Sequence, residues 1–148
     1  GVQRRFSYLF DHNKISFYDD YAHHPTEISS VLSGVEKVFK NKEIMCVFQP
    51  HRISRVISLK KEFSKCFKKA DTVLLCPIYT ANEKLRLNFT YHSFAKLIIK
   101  NSNVRLIQVE DELQLQKFIK QNVFGEKIYI GMGAGSISNW MKNLKNIF

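Results

Sequence analysis

Four short apolar runs, Glu43–Phe48, Thr72–Cys76, Val104–Val109 and Lys127–Ile130, recur along this chain with segments of helical period between them. Runs of this length that stay apolar, rather than alternating, suit strands buried on both faces of a sheet. The intervening segments place apolar residues three and four apart. Ile28, Val31, Leu32, Val35, Val38 and Phe39 mark one helix, and Val56, Ile57, Leu59, Phe63 and Phe67 mark another over about Ile53–Lys69. Leu113, Leu115, Phe118 and Ile119 mark a helix over Asp111–Asn122, and Tyr91–Lys100 and Ile137–Leu144 also read as helical. Ahead of them, Arg5–Phe10 and Lys14–Tyr18 flank Asp11-His12-Asn13, a turn-forming triplet that predicts a hairpin.

Strands joined through helices pair in parallel, by right-handed crossovers, with helices on both faces. The expected fold is α/β, a Rossmann-like three-layer sandwich with a mostly parallel sheet and an N-terminal antiparallel hairpin forming the edge strand. At 148 residues the chain suits a single domain over 1–148. No low-complexity linker interrupts it, and Tyr79–Asn88 reads as a loop with room for one helical turn.

No apolar run approaches the roughly 18 residues that span a bilayer. Gly1–Phe6 moves straight into mixed pattern without the character of a signal sequence, so a cytoplasmic location is expected. Cys46, Cys66 and Cys76 are odd in number and lack Cys-x-x-Cys spacing, so buried reduced thiols are expected, with no disulfide framework, zinc site or other metal centre. The net charge of +10 raises the question of nucleic acid. Most of the excess is lysine spread along the chain, and Lys60, Lys61, Lys65, Lys68 and Lys69 have the period of one solvated helix side. No recognition helix or aromatic platform accompanies them. An anionic small molecule uses the same charge with fewer assumptions.

Three segments follow predicted strands directly, which in a parallel sheet brings them to the carboxyl edge where ligands gather. The first is Asp19-Asp20-Tyr21-Ala22-His23-His24-Pro25-Thr26-Glu27, with adjacent carboxylates, a phenol and adjacent imidazoles. Its Pro25 pre-sets φ for the helix that Thr26 and Glu27 open. The second is Phe48-Gln49-Pro50-His51-Arg52-Ile53-Ser54-Arg55, where Arg52 and Arg55 at a helix start are spaced to share one side. Guanidinium groups, helix dipole and free amides there would together attract phosphate or carboxylate. The third is Gly131-Met132-Gly133-Ala134-Gly135-Ser136. It lacks the full G-x-G-x-x-G and the P-loop Lys-Ser/Thr, so a tight turn with close packing accounts for it equally well. No nucleophile elbow or H-E-x-x-H occurs. The residues amount to half an active site.

These blocks, with Gly1-Val2-Gln3-Arg4-Arg5-Phe6 at the start, resemble the C-terminal domain of the Mur ligases, in the branch that joins L-alanine to UDP-N-acetylmuramate. Gly133-Ala134-Gly135-Ser136-Ile137 is similar to that family's terminal turn. The resemblance implies a three-domain enzyme. An N-terminal domain binds the UDP-sugar, a central domain holds ATP and magnesium, and the third, which this chain would represent, closes over both. It further implies that the sugar's lactyl carboxylate takes the γ-phosphoryl group of ATP, and that the amine of L-alanine captures the resulting acyl phosphate. Carried over by position, Arg5 and Asp20 are expected to contact ATP near the ribose and His23 to lie near the transferred phosphate. Tyr21, His51, Arg52 and Arg55 are expected to receive L-alanine and the reacting end of the sugar nucleotide. The chain departs from the family at Ile53, where an aromatic residue is expected, and at Ser136, where an acid is frequent. By itself the domain is expected to have no ligase activity. Two other readings draw on the same residues: a stand-alone anion- or nucleotide-binding module, and a basic nucleic-acid-binding domain.

Overall fold

The computed structural model describes residues 5–84 and 90–148. Ser7–His12 (β1) and Ile15–Asp20 (β2) form the expected hairpin, displaced toward the C-terminus relative to the sequence reading. Its turn carries Asn13 at φ 56°, a left-handed conformation that asparagine tolerates better than most residues. Glu43–Phe48 (β3), Thr72–Leu75 (β4), Arg105–Gln108 (β5) and Lys127–Met132 (β6) complete a sheet of order β1-β2-β6-β3-β4-β5. Every pairing from β2 to β5 is parallel, and β1 is the antiparallel edge. The last strand therefore lies between β2 and β3, bringing together the loops that leave their carboxyl ends.

Helices Pro25–Val38 (α1), Ile53–Ser58 (α2), Lys60–Lys65 (α3), Tyr91–Ser102 (α4), Glu112–Lys120 (α5) and Ile137–Asn143 (α6) cover the two faces, with a closing 3₁₀ turn over Leu144–Ile147. Along β3, Ile44, Cys46 and Phe48 point to one side, where Ile28 and Leu32 of α1, Phe63 of α3 and Phe94 and Ile98 of α4 pack. Met45 and Val47 point to the other, against Leu115 and Ile119 of α5 and Ile137 and Met141 of α6. Both faces being covered, the strands read as continuous apolar runs. Cys46, Cys66 and Cys76 are free and buried. Burial pushes the Cys76 thiol up to about 12, which keeps it protonated and unreactive.

The single helix expected over Ile53–Lys69 is two helices, broken at Leu59, whose φ of −114° and ψ of 22° leave the helical region. The first piece is built of isoleucine, valine and serine beside Arg55, residue types with weak helix preference. Val38 and Leu113, both on the apolar stripes that mark their helices, are 74% and 59% exposed. Both sit in a terminal turn, and a 3.6-residue period defines a stripe without saying where the sheet beneath it ends. Of the expected loop over Tyr79–Asn88, residues 79–84 are described and the remainder lies outside the described residues. Among the described residues no helix is long and apolar enough to cross a membrane.

Candidate functional site

The three loops singled out by sequence meet at one rim. The Gly133 amide donates to the Asp20 carbonyl at 3.3 Å and the Gln49 amide to the Met132 carbonyl at 3.0 Å, tying the ends of β2, β3 and β6 together. The buried side chain of Gln49 adds a staple, its Nε2 donating to Ser136 Oγ at 3.0 Å and its Oε1 accepting from the Ile137 amide at 3.1 Å. At Gly133 φ is 152°, and a Cβ there would stand 2.8 Å from the Gln49 carbonyl oxygen. A Cβ on Gly135 would come within 2.6 Å of the Tyr79 ring. The glycine-rich turn is thus a packing element that lets three backbones approach.

In the first loop Asp20 is 4% exposed, and both its carboxylate oxygens accept backbone amides: Oδ2 from Phe6 and Oδ1 from Ala22, each at 2.7 Å. Burial raises its carboxyl above the ordinary range, and those two amides partly oppose the shift. Arg5 and Asp20 line a common cavity of about 560 Å³ with Phe6, Tyr21 and Glu27. Asp19 is also buried, and Ser138 Oγ donates to its Oδ2 at 2.7 Å.

The adjacent imidazoles divide their work. His24 is the N-cap of α1, its Nδ1 accepting from the Thr26 amide at 3.4 Å while the Glu27 side chain reaches back to it, a capping box with histidine in the usual Ser/Thr place. His23 points into the site instead. Its Nδ1 lies 3.0 Å from the Tyr21 carbonyl, which only accepts, so Nδ1 carries the hydrogen and Nε2 the lone pair. Burial pushes the Glu27 carboxyl up, but the amides of His23 and His24 outweigh it and hold that carboxyl below the usual range.

In the second loop Arg52 is the N-cap of α2 at φ 71° and ψ 128°, left-handed backbone for a non-glycine residue. Its amide donates to the Tyr79 carbonyl at 2.8 Å, and the Tyr79 amide donates to the Pro50 carbonyl at 2.8 Å. The His51 ring stacks on Tyr79, with centroids 5.3 Å apart and planes within 11°. Arg55 Nη1 is 3.3 Å from His51 Nδ1, so that nitrogen accepts and Nε2 bears the hydrogen. Burial, and after it the charge of Arg55, lowers the His51 pKa and keeps the ring neutral. The two loops converge, with the His23 and His51 rings 6.0 Å apart and Tyr21 5.1 Å from His23.

Arg52 and Arg55 line one open depression of about 580 Å³ with Ser54 and Ser58. The amides at the α2 start, expected to be free, are in part taken. Ser54 N donates to Glu83 Oε1 at 3.1 Å and Ser54 Oγ to Glu83 Oε2 at 2.5 Å. The guanidinium groups of Arg52 and Arg55 are the positive charges that line this depression. Tyr79 and Glu83 were not singled out by sequence, and Gln49 entered only as part of its segment, without a role. Tyr79 and Glu83 follow β4, so the edge rule that selected the other loops would have reached them. Among the described residues no group of three His, Cys, Asp or Glu side chains is arranged to hold a metal ion.

Residues 4–135 match the family described as Mur ligase, glutamate ligase domain. The UDP-N-acetylmuramate–L-alanine ligase of Pelagibacter ubique is 63% identical over 147 residues, covering 99% of this chain and 32% of the relative. The crystal structure of the UDP-N-acetylmuramate-alanine ligase of Thermotoga maritima superposes with a TM-score of 0.69 at 29% identity, over 99% of this chain and 30% of that one. A murein peptide ligase from Psychrobacter arcticus shares the fold, with a TM-score of 0.77 at 18% identity over 98% of this chain and 30% of its own. The chain spans about a third of the length of the curated relatives it matches.

Proposed function

The chain belongs to the Mur ligase family through its glutamate ligase domain, and from that premise we propose that it is the C-terminal, closing domain of an ATP-dependent ligase. That enzyme joins L-alanine to UDP-N-acetylmuramate in the making of a peptidoglycan precursor, in the cytoplasm. The observation that carries this reading is the 6.0 Å approach of His23 and His51, which unites the loop assigned to the nucleotide side with the loop assigned to the amino acid.

When bound, ATP would give its γ-phosphoryl group to the lactyl carboxylate with ADP leaving, magnesium would offset the phosphate charge, and the amine of L-alanine would then displace inorganic phosphate from the acyl phosphate. This domain's share is to bind, orient and exclude water, since an acyl phosphate left in contact with water hydrolyses. Arg52 and Arg55, sharing one depression, take the carboxylate of L-alanine through paired charge-assisted hydrogen bonds. Neutral His51 offers Nε2–H to an oxygen of the acyl phosphate, and Tyr21, in edge contact with His23, adds its phenol to the same rim. His23, anchored at Nδ1, has Nε2 for the transferred phosphoryl group, which it contacts as a donor once protonated.

The fit to a nucleoside is tested by Asp20 and Arg5. Each Asp20 oxygen accepts one amide and so keeps a second lone pair for a ribose hydroxyl, and Arg5 lines the same cavity. Apart from the contacts of His23 and His51 with the transferred phosphoryl group, the phosphates, the magnesium and the UDP-sugar fall to the other two domains of the polypeptide, and neither membrane nor nucleic acid enters the reaction.

The test is phosphate release by the full-length protein. It should require UDP-N-acetylmuramate, ATP and L-alanine together, and release indifferent to L-alanine would overturn the proposal.

A further inference from the structure

We propose that Glu83 is a positioning residue for the amino-acid site, setting the arginine loop from outside so that Arg52 and Arg55 meet the substrate carboxylate in one arrangement. This rests on the reading of that loop as the L-alanine site.

The loop does not hold its own shape. Arg52 is left-handed, a conformation that persists in a non-glycine residue only where its surroundings enforce it. No side chain caps α2 locally, and its first turn contains no acidic residue. The enforcement comes from residues 79–83. The reciprocal backbone bonds with Tyr79 clamp Pro50 and Arg52, and the Tyr79 ring supports the His51 ring from one face. Ala81 and Asn82, both left-handed at φ 51° and 70°, then turn the chain, and the Glu83 amide closes that turn on the Thr80 carbonyl at 3.0 Å. The Glu83 carboxylate thereby reaches the backbone and hydroxyl of Ser54, two residues beyond Arg52. The hydroxyl and amide of Ser54, in that order, hold the Glu83 carboxyl below its usual range, so it is ionised at neutral pH.

A built-in carboxylate at the α2 start does two things. It supplies from a distant segment the negative charge that a helix start favours. It also occupies the Ser54 amide, which would otherwise compete with Arg52 and Arg55 for the substrate's carboxylate.

The experiment is steady-state kinetics of the full-length ligase carrying Glu83→Ala or Glu83→Gln, with hydrogen–deuterium exchange read at Ser54. Glu83→Ala should raise KM for L-alanine roughly tenfold or more, with KM for ATP and UDP-N-acetylmuramate within about twofold and kcat retained. Glu83→Gln, which keeps an oxygen for the Ser54 amide, should fall between, and it carries the test if the alanine variant folds poorly. The Ser54 amide should exchange faster in both variants. An unchanged KM for L-alanine, or equal losses for all three substrates, would overturn the positioning role. The failure of the underlying reading looks different: the unmodified enzyme would itself show no turnover dependent on L-alanine, and Ser54 exchange would still decide whether Glu83 holds the loop.

Discussion

Arg55 Nη1 lies 3.3 Å from His51 Nδ1, and because a guanidinium only donates, this contact dictates the tautomer of a histidine that faces His23 across the rim. Burial and the Arg55 charge depress the His51 pKa from 6.5. A base with a depressed folded-state pKa takes up its proton more readily unfolded, so the fold loses stability as pH falls below 6.5 until the folded-state value is passed. Proton titration by NMR should put His51 below 6.5 in the unmodified protein, and Arg55→Gln should move it upward. A His51 titration that ignores the Arg55 substitution would remove the contact from the account.

Asp20 holds its loop through two backbone amides, and the proposed function adds a nucleotide contact to that structural duty. Asp20→Ala would leave the buried amide of Ala22 and the part-buried amide of Phe6 without acceptors, at a cost of about 1–3 kcal/mol for the first and less for the second. Chemical denaturation should therefore show lost stability besides any loss of ATP affinity. Its raised carboxyl pKa works the other way with pH. The native state binds this proton more tightly, so the proton-linked part of the stability is fully present below the unfolded value of 3.8 and is lost as pH rises through the folded value, while the two amide bonds remain. Asp20→Asn should flatten that part of the stability profile, and an unaltered profile would contradict the assignment.

The glycine-rich turn is tested by contrast with another glycine. Gly133→Ala forces a methyl against the Gln49 carbonyl at positive φ and should cost about 1–3 kcal/mol. Gly34, on the exposed side of α1, has open space at its Cβ position, and Gly34→Ala should stabilise by about 0.5–1 kcal/mol. Thermal unfolding of the two variants should shift in opposite directions.

The domain by itself should release no phosphate from ATP in the presence of UDP-N-acetylmuramate and L-alanine, because under the proposed function its rim only completes sites for reactants that other domains hold. Turnover by residues 1–148 alone would show that assumption to be wrong.

Much of this architecture could be read before any coordinates. Cys46 and Val47 are both apolar because helices cover both faces of β3, and that pattern is visible in one dimension. The break at Leu59 was not, since the apolar spacing continues across it while the backbone does not. Within the site, residue type marked Asp20, His23, His51 and Arg55, and the strand-end rule brought them together. Composition could not divide the adjacent imidazoles, because His24 is committed to the helix only through the amide of Thr26. Nor could it reveal that Asp20 holds Phe6 from 14 residues away, or that Glu83 reaches Ser54 across 29. Contacts of that span depend on the closed fold.

The central claim is that one rim serves two substrates through two loops, and steady-state kinetics of full-length Arg52→Ala and Asp20→Ala test it most directly. Removing a charged hydrogen-bonding partner should weaken the substrate it touches by roughly 10–100-fold. Arg52→Ala should therefore raise KM for L-alanine and spare ATP, while Asp20→Ala should raise KM for ATP and spare L-alanine. The reverse pattern, or equal losses for both substrates in both variants, would contradict the assignment of the loops.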